Sequence, residues 1–176
     1  MDTYNMIDFN KKKGFICDMD GVIYHGNRVL PGVAEFIQWL HDEDKEYLFL
    51  TNNSGYTPRE LHQKLERLGL DVSEEHFYTS ALATAAFLRD QAPGCSVFAI
   101  GEAGLLNALY DAGITMNDVN PDYVIVGEGR NYSLDSLTKA TNLVLAGAKL
   151  IGANSDLSGP IENGIAPACR ALIAPI

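Results

Sequence analysis

The chain has 176 residues, of which 47% are hydrophobic and 20% are charged, so it has room for one ordinary domain or two small ones with a buried core. Its formal net charge of −10 disfavours binding through the nucleic-acid backbone, because the single basic run, Lys11 to Lys13, is too short to offset the repulsion. No apolar run approaches the length that spans a bilayer, and residues 1–10 lack the pattern of a signal peptide, so neither a membrane nor a nucleic acid is an expected partner.

The first predicted element is a short apolar strand that begins at Gly14 and ends in Asp18, with Asp20 two residues further on. Side chains i and i+2 of a strand point to the same side, so the two carboxylates are expected to face one pocket. The carboxyl ends of parallel strands are where open α/β sheets bind ligands, and a carboxylate pair offers one group to attack and one to move protons. An isolated Asp-x-Asp more often caps a turn, but the position at a strand end favours an active site.

The second predicted strand, Tyr47 to Leu50, is joined to the first by a small hairpin turning at Gly26-Asn27 and by an amphipathic helix that starts after Gly32. This order predicts a βαβ unit. The strand ends in Thr51 to Gly55, where a hydroxyl, two amides and a glycine precede a helix and are suited to cradle a phosphate. A polar loop with a helix cap is the alternative, and it would be preferred if this segment stood alone.

Strands and helices continue to alternate along the remaining chain, which predicts a parallel or mixed sheet in a second unit. The segment from Gly101 to Gly104 resembles a glycine-rich nucleotide loop but lacks the third glycine, so a helix start is favoured. The predicted elements are a helix after the capping box at Thr57, a strand at 76–79, a helix at 80–91, a strand near 95–100, a helix near 105–112, a strand near 123–126, a helix at 134–146 and a strand at 149–153.

The three cysteines, Cys17, Cys95 and Cys169, are odd in number and widely spaced, which indicates neither a disulfide framework nor a zinc site. A reducing cytoplasm is therefore the expected location. Cys17 lies next to Asp18, but strand alternation predicts that its thiol points into the core rather than acting as a nucleophile.

Taken together, the strand end at Asp18-Met19-Asp20 and the strand end at Thr51 resemble the haloacid dehalogenase superfamily of phosphatases, in which such segments hold the phosphate. The resemblance narrows to the NagD-like, or nitrophenylphosphatase-like, branch and covers nearly all of the chain from Gly14 onward. It implies an α/β fold in which residues 1–80 form the N-terminal part of a Rossmann-like core and residues 81–176 form an inserted α/β C2-type cap whose end is incomplete. The supporting segments are Tyr24-His25-Gly26, Phe77 to Ala81, Ile100 to Leu105, Val119 to Gly127, and Pro167-Ala168-Cys169.

The resemblance also implies roles for single residues. Asp18 is expected to attack phosphorus to give an aspartyl phosphate, while Asp20 protonates the leaving oxygen and then activates water. Thr51, Asn52 and Asn53 are expected to bind the phosphate. Mg²⁺, which prefers oxygen ligands, is expected to bind to the Asp18 carboxylate and to the Asp20 backbone carbonyl.

Specificity is expected from the cap, since the core would treat all phosphates alike. Asn154 and Asp156 follow a predicted cap strand and are expected to contact the substrate. The following loop, residues 157–168, is rich in Gly, Pro and Asn and is expected to lean over the pocket, with a flexible connector as an equal alternative.

The predicted function is Mg²⁺-dependent hydrolysis of small phosphomonoesters, either nucleoside monophosphates or sugar phosphates. A homo-oligomer formed through the cap is a further expectation. In the resembled family a lysine and distal metal-binding aspartates follow the cap; because those motifs are absent here, we expect a fragment or one part of an assembly, with little activity alone. Two alternatives stay open, namely a catalytically silent module that binds a phosphorylated ligand and a domain that accepts phosphate from a partner.

Overall fold

The structure, a computed structural model, describes residues 8–176. The expected absence of a signal peptide falls mainly on residues 1–7 and so lies outside the described residues.

We call residues 8–79 the N-terminal unit and residues 80–176 the C-terminal unit. The N-terminal unit contains β1 (Gly14–Asp18), β2 (Tyr24–His25), β3 (Arg28–Val29), α1 (Val33–Asp42), β4 (Glu46–Thr51), α2 (Pro58–Arg67) and β5 (Phe77–Thr79), with short 3-10 turns at Phe9–Lys11 and Glu74–His76. The C-terminal unit contains α3 (Ser80–Gln91), β6 (Ser96–Ile100), α4 (Ala103–Asp111), β7 (Thr115–Met116), β8 (Tyr123–Val126), α5 (Leu134–Leu145), β9 (Lys149–Gly152), β10 (Ser158–Ile161), β11 (Gly164–Pro167) and α6 (Cys169–Ile173).

The sheet of the N-terminal unit has three parallel strands in the order β1-β4-β5. Its register pairs Asp18 with Leu50 and Thr51 with Thr79, so the carboxyl ends of all three strands meet at one edge. Within residues 8–176, β1 has β4 as its single neighbour, and its Ile16 side chain is 72% exposed, as expected for an apolar edge strand.

Helices α1 and α2 pack against one face of this sheet. Their apolar residues recur at helical spacing and join a cluster around the fully buried side chains of Leu40 and Phe49. Helix α2 begins with the predicted capping box, in which Thr57 Oγ1 accepts from the Glu60 amide and the Glu60 carboxylate accepts from the Thr57 amide, with Pro58 in the first turn. This cap fixes where the polar loop ends and the helix begins.

The C-terminal unit is a three-layer α/β arrangement around a second parallel sheet in the order β7-β6-β8-β9. Because successive strand residues point to opposite faces, Ile125 joins the cluster under α3 and α4, whereas Val124 and Val126 join the cluster under α5 and α6. All three side chains are fully buried. The hydrophobic clusters change between Phe77 and Ala81. The domain boundary between residues 80 and 81 stays a prediction.

Two features of the C-terminal unit differ from the sequence-based expectation. The short strand β7 is absent from the predicted elements, because two residues are too few to carry an alternation pattern. Residues 157–168, expected to be an irregular loop, contain the antiparallel hairpin β10-β11, in which Ser158 pairs with Pro167 and Ile161 with Gly164. Glycine and proline content indicated a loop, but backbone pairing between the two segments decided the structure.

Candidate active site

The two carboxylates of the first strand end lie in the same cleft. Asp18 is the last residue of β1, and Asp20 follows after Met19, whose side chain is fully buried on the other side. Gly21, with φ of 82°, then turns the chain back, and its amide donates to the Tyr24 carbonyl at 2.8 Å. Both carboxylates line a cleft of about 700 Å³. The predicted pair is therefore brought together at the sheet edge.

Thr51, at the end of the adjacent strand β4, contacts the Asp20 carboxylate. Its Oγ1 donates to Asp20 Oδ2 at 3.3 Å and accepts from the Asn53 amide at 3.1 Å. The Asn53 side chain in turn accepts from the Gly55 amide at 2.7 Å. Asn52 and Asn53 line the cleft, so the segment predicted to cradle phosphate faces the two carboxylates.

Asp20 occupies an electrostatic environment that favours its neutral form. Burial raises the pKa of Asp20 above the usual range, and the nearby charge of Asp18 adds to this effect. The Lys64 charge on α2, followed by hydrogen bonds from Thr51 and Tyr24, opposes the rise in pKa without cancelling it. Lys64 itself lies with its Nζ 3.6 Å from the centre of the Tyr24 ring, which fixes this cation beside the acid.

The predicted cap residues Asn154 and Asp156 both contact the phosphate-cradle segment. The side-chain amide of Asn52 donates to Asp156 Oδ2, and Asn154 Nδ2 donates to the Asn52 carbonyl at 2.8 Å. Asp156 lines the cleft, whereas Asn154 is turned towards Asn52 and Glu128. The structure thus brings all seven predicted site residues into one connected region.

Two hairpins meet across the mouth of the cleft. Hairpin β10-β11 forms one wall through residues 158–161 and 166–167. At its tip, Glu162 approaches the β2-β3 hairpin, where Asn27 Nδ2 lies 3.5 Å from Glu162 Oε2. A Cβ atom at Gly26 would lie 3.2 Å from the Glu162 side chain, so glycine allows this close approach.

Family relationships agree with this architecture. A sequence model of haloacid dehalogenase-like hydrolases matches residues 15–115, which is more than half of the chain. The chain belongs to the haloacid dehalogenase-like hydrolases. It is 45% identical, over 93% of its length and 64% of the relative, to ribonucleotide monophosphatase NagD of Escherichia coli strain K12. It is 43% identical, over 91% of its length and 58% of the relative, to dihydroxyacetone phosphatase of Corynebacterium glutamicum strain R.

Solved structures show the same relationship. The 4-nitrophenylphosphatase of Thermotoga maritima superposes with a TM-score of 0.88 at 30% identity, covering 94% of this chain and 64% of that one. The NagD-like branch and the Rossmann-like core with an inserted α/β cap, both predicted from the sequence, are confirmed. The chain spans about three fifths of the length of these curated relatives, 58% and 64% for the two named above.

Sequence reasoning missed Glu128, which lies just beyond the carboxyl end of the cap strand β8. Its carboxylate lines the cleft, accepts from Asn154 Nδ2 at 2.7 Å and also accepts from the Cys169 amide. Burial raises the pKa of Glu128, and the nearby Asp20 charge adds to the rise. The strand-end rule that identified Thr51 would also have identified Glu128, because both follow a buried apolar strand.

The Ser54 hydroxyl, also missed, joins the two units of the chain. Ser54 is fully buried and accepts from the Glu128 amide at 2.8 Å. The Gly104 amide donates to the Gly55 carbonyl at 3.0 Å, and a Cβ atom at Gly104 would lie 2.5 Å from the Tyr56 carbonyl oxygen. Because Gly104 has no side chain, the two units can pack closely here. Gly104 lies in the first turn of α4, so the predicted helix start is confirmed.

The oxygen atoms of the cleft could provide some of the ligands of a hard divalent cation. Asp18 and Asp20 offer carboxylate and backbone carbonyl oxygens, the ligand type that Mg²⁺ prefers. Within residues 8–176, however, no group of three or more His, Cys, Asp or Glu side chains converges as a metal site. These residues alone therefore supply part of an oxygen ligand shell.

Among residues 8–176, no helix combines the length and the apolar character that crossing a bilayer requires.

Proposed function

We propose that this chain carries the nucleophile, the general acid and the phosphate-binding segment of a phosphatase that hydrolyses small phosphomonoesters through an aspartyl-phosphate intermediate. The observation that carries the proposal is the convergence of Asp18, Asp20 and Thr51 at one sheet edge, with Thr51 Oγ1 3.3 Å from Asp20 Oδ2 in a cleft of about 700 Å³. The names of the relatives, a ribonucleotide monophosphatase and a dihydroxyacetone phosphatase, support nucleoside monophosphates or sugar phosphates as substrates.

In the first step, a carboxylate oxygen of Asp18 attacks phosphorus and the bond from phosphorus to the leaving oxygen breaks. The leaving oxygen takes the proton of Asp20. The raised pKa of Asp20 supports this role, because a buried carboxyl group holds a proton to a higher pH than an exposed one. The product of this step is an alcohol and an aspartyl phosphate on Asp18.

In the second step, the Asp20 carboxylate takes a proton from water while the water oxygen attacks phosphorus. The bond between phosphorus and the Asp18 oxygen breaks, which releases inorganic phosphate and regenerates both carboxyl groups. Thr51 would donate to a phosphoryl oxygen or to Asp20 as the charge moves between them, since its hydroxyl already faces the acid. The Asn52 backbone amide would hold a further phosphoryl oxygen, whereas the Asn53 amide donates to Thr51 Oγ1.

We propose Mg²⁺ as the cofactor, held by the Asp18 carboxylate and by the Asp20 backbone carbonyl. When bound, the ion would neutralise charge on the transferring phosphoryl group. Water and substrate would complete the oxygen ligands, because Mg²⁺ usually keeps several waters.

The cap supplies the groups that would contact the leaving group. Asp156 and the hairpin β10-β11 line the same cleft as the carboxylate pair. Asp156 offers side-chain oxygens and the hairpin offers backbone oxygens. Both kinds of oxygen accept hydrogen bonds from hydroxyl groups of a sugar or polyol. We therefore propose that the cap, rather than the strand ends, discriminates among phosphomonoesters.

The test is a comparison of the chain with its Asp18→Asn variant. Both are incubated with MgCl₂ and a panel of phosphomonoesters, phosphate release is measured, and acid-quenched samples are examined for a phosphorylated Asp18 by mass spectrometry. We expect phosphoenzyme and slow release from the chain and neither from the variant, because an amide is a poor nucleophile. Equal turnover in the two proteins would refute the assignment of Asp18.

Two additions to this assay, beryllofluoride and a partner kinase, distinguish the alternative functions. Beryllofluoride with Mg²⁺ would bind tightly without any turnover if the chain is a silent binding module. Labelling of Asp18 by a partner kinase, with no reaction towards phosphomonoesters, would indicate a phosphoacceptor domain.

We also propose a reducing, cytoplasmic location, since all three cysteines are free and Cys95 and Cys169 are buried thiols. Complete alkylation of the three thiols after denaturation without reductant would support this. Assembly into a homo-oligomer through the cap stays a prediction that sedimentation equilibrium can test.

A further inference from the structure

Both N–H donors of the Asn154 side-chain amide are used in hydrogen bonds. Its Nδ2 donates to the Asn52 carbonyl at 2.8 Å and to Glu128 Oε1 at 2.7 Å, and its Oδ1 accepts from the Asp156 amide at 3.0 Å. The orientation of the amide follows from these neighbours, because both groups beside Nδ2 are acceptors and the group beside Oδ1 is an N–H donor. Neither N–H bond of Asn154 is left for a substrate.

The Asn52 carbonyl, which receives one of these bonds, is held by a second donor. Ser80 Oγ, at the start of α3, donates to it at 2.7 Å. A carbonyl oxygen has two lone pairs, so Ser80 and Asn154 together saturate it. The peptide group between Asn52 and Asn53 is thus anchored by the first residue of the C-terminal unit and by a residue of the segment that follows strand β9.

The opposite side of the same peptide group points towards the catalytic acid. The peptide is trans, so the Asn53 N–H lies on the side opposite to the Asn52 carbonyl, and it donates to Thr51 Oγ1 at 3.1 Å. Because Thr51 Oγ1 accepts this bond, its own proton is directed to Asp20 Oδ2 at 3.3 Å. A continuous path of hydrogen bonds therefore runs from Asn154 through the peptide and Thr51 to Asp20.

We propose that Asn154 is a positioning residue, which holds the Asn52-Asn53 peptide group from the cap and thereby orients the Thr51 hydroxyl, one of the proposed phosphate ligands. The consequence for phosphate rests on the proposed function. The role differs from the direct substrate contact expected from the sequence, since Asn154 acts through Asn52. The cap then builds part of the phosphate cradle in addition to covering it.

The decisive variant is Asn154→Asp, which keeps the shape of the side chain and replaces both N–H donors by an oxygen facing the Asn52 carbonyl and Glu128. We expect the Kd for orthophosphate, measured by calorimetry with MgCl₂, to rise about fivefold to tenfold, the effect of losing one hydrogen bond. The Asn53 amide, observed by NMR, should change its chemical shift and exchange faster with solvent.

The double variant Asn154→Asp with Glu128→Gln distinguishes the positioning of the Asn52-Asn53 peptide group from a general loss of stability in the cap. The side-chain amide that Glu128→Gln introduces restores a donor towards residue 154 and can still accept from the Cys169 amide, but it cannot restore the bond to the Asn52 carbonyl. We expect thermal stability to recover while the Kd for orthophosphate and the Asn53 amide stay altered. Recovery of phosphate affinity together with stability would overturn the proposal.

The matched control is Asn142→Asp on α5, where the lost bond also runs from an Asn amide to a backbone carbonyl, that of Thr138, at 2.9 Å. It should leave the Kd and the Asn53 amide unchanged. An Asn154→Asp protein that behaves like this control would overturn the proposal. If the unmodified chain binds no orthophosphate, the proposed function fails, and the response of the Asn53 amide still decides whether Asn154 positions the peptide.

Discussion

Asp20 illustrates how one residue meets opposing demands. In its proposed role as general acid it must carry a proton, and burial raises its pKa, yet it also lies beside the positive charge of Lys64 and accepts from Thr51. Burial is the largest effect, so the folded chain binds the proton more tightly than the unfolded chain does. The stability contributed by this group is fully present below the unfolded pKa and is lost as the pH rises through the folded pKa.

Replacing Asp20 by Asn should therefore stabilise the metal-free chain at neutral pH, because it removes a partly buried charge. The expected gain is roughly 0.5–1 kcal/mol after allowance for solvent screening, or about 1–4 °C in Tm. The gain should disappear in acid, where Asp20 is neutral too. Thermal melts of both proteins in EDTA from pH 4 to pH 8 measure it, and an Asn variant that is less stable at pH 7 would contradict the argument.

At the scale of single elements, α2 links the proposed phosphate-binding segment to the charge near Asp20. The helix starts directly after the polar loop and carries Lys64 in its last turn. Its capping box satisfies two amides that would otherwise lack partners, and its buried Leu61 and Leu65 hold it on the sheet. The start of the helix therefore influences where the loop ends and where the cation lies.

Thr57→Ala should cost about 1 kcal/mol of unfolding free energy, because the Glu60 amide loses its acceptor. Denaturant titration measures this loss. Thr138→Ala, within helix α5, is the matched control and should be neutral or slightly stabilising, since alanine has the higher helix propensity. Equal effects at the two positions would show that capping contributes nothing at Thr57.

At the scale of the whole molecule, the two units are joined behind the cleft and at its mouth by contacts of different strength. Behind the cleft, buried Ser54 accepts from the Glu128 amide and Gly104 packs directly on backbone atoms. At the mouth, the contact between Asn27 and Glu162 is exposed and long, at 3.5 Å. The units should therefore behave as one body at the back while the mouth opens more readily.

Gly104→Ala tests the packing behind the cleft. A methyl group there would lie 2.5 Å from the Tyr56 carbonyl oxygen and 2.6 Å from that of Ser54, both backbone atoms that cannot move alone. We expect a loss of about 3 kcal/mol and a broadened or split thermal transition in calorimetry as the units separate. Gly159→Ala, where a Cβ would meet nothing within 4 Å, should leave the transition intact. Similar melts for both variants would show that the interface does not couple the units.

The sequence by itself determined most of the strands and helices, though not β7, β10 or β11, together with the two strand ends and the family, because alternation, capping and turn residues act over a few neighbouring positions. It predicted the α2 cap at Thr57 and the convergence of Asp18 and Thr51, since parallel strands place their carboxyl ends at one edge. Only the tertiary structure decided what lies across the cleft. The bond between Ser54 and the Glu128 amide and the bond of Asn154 to Asn52 join residues 74 and 102 positions apart, which no local pattern encodes. The hairpin β10-β11 was also not predicted. Its composition is typical of loops, and backbone pairing between the two strands decided its structure.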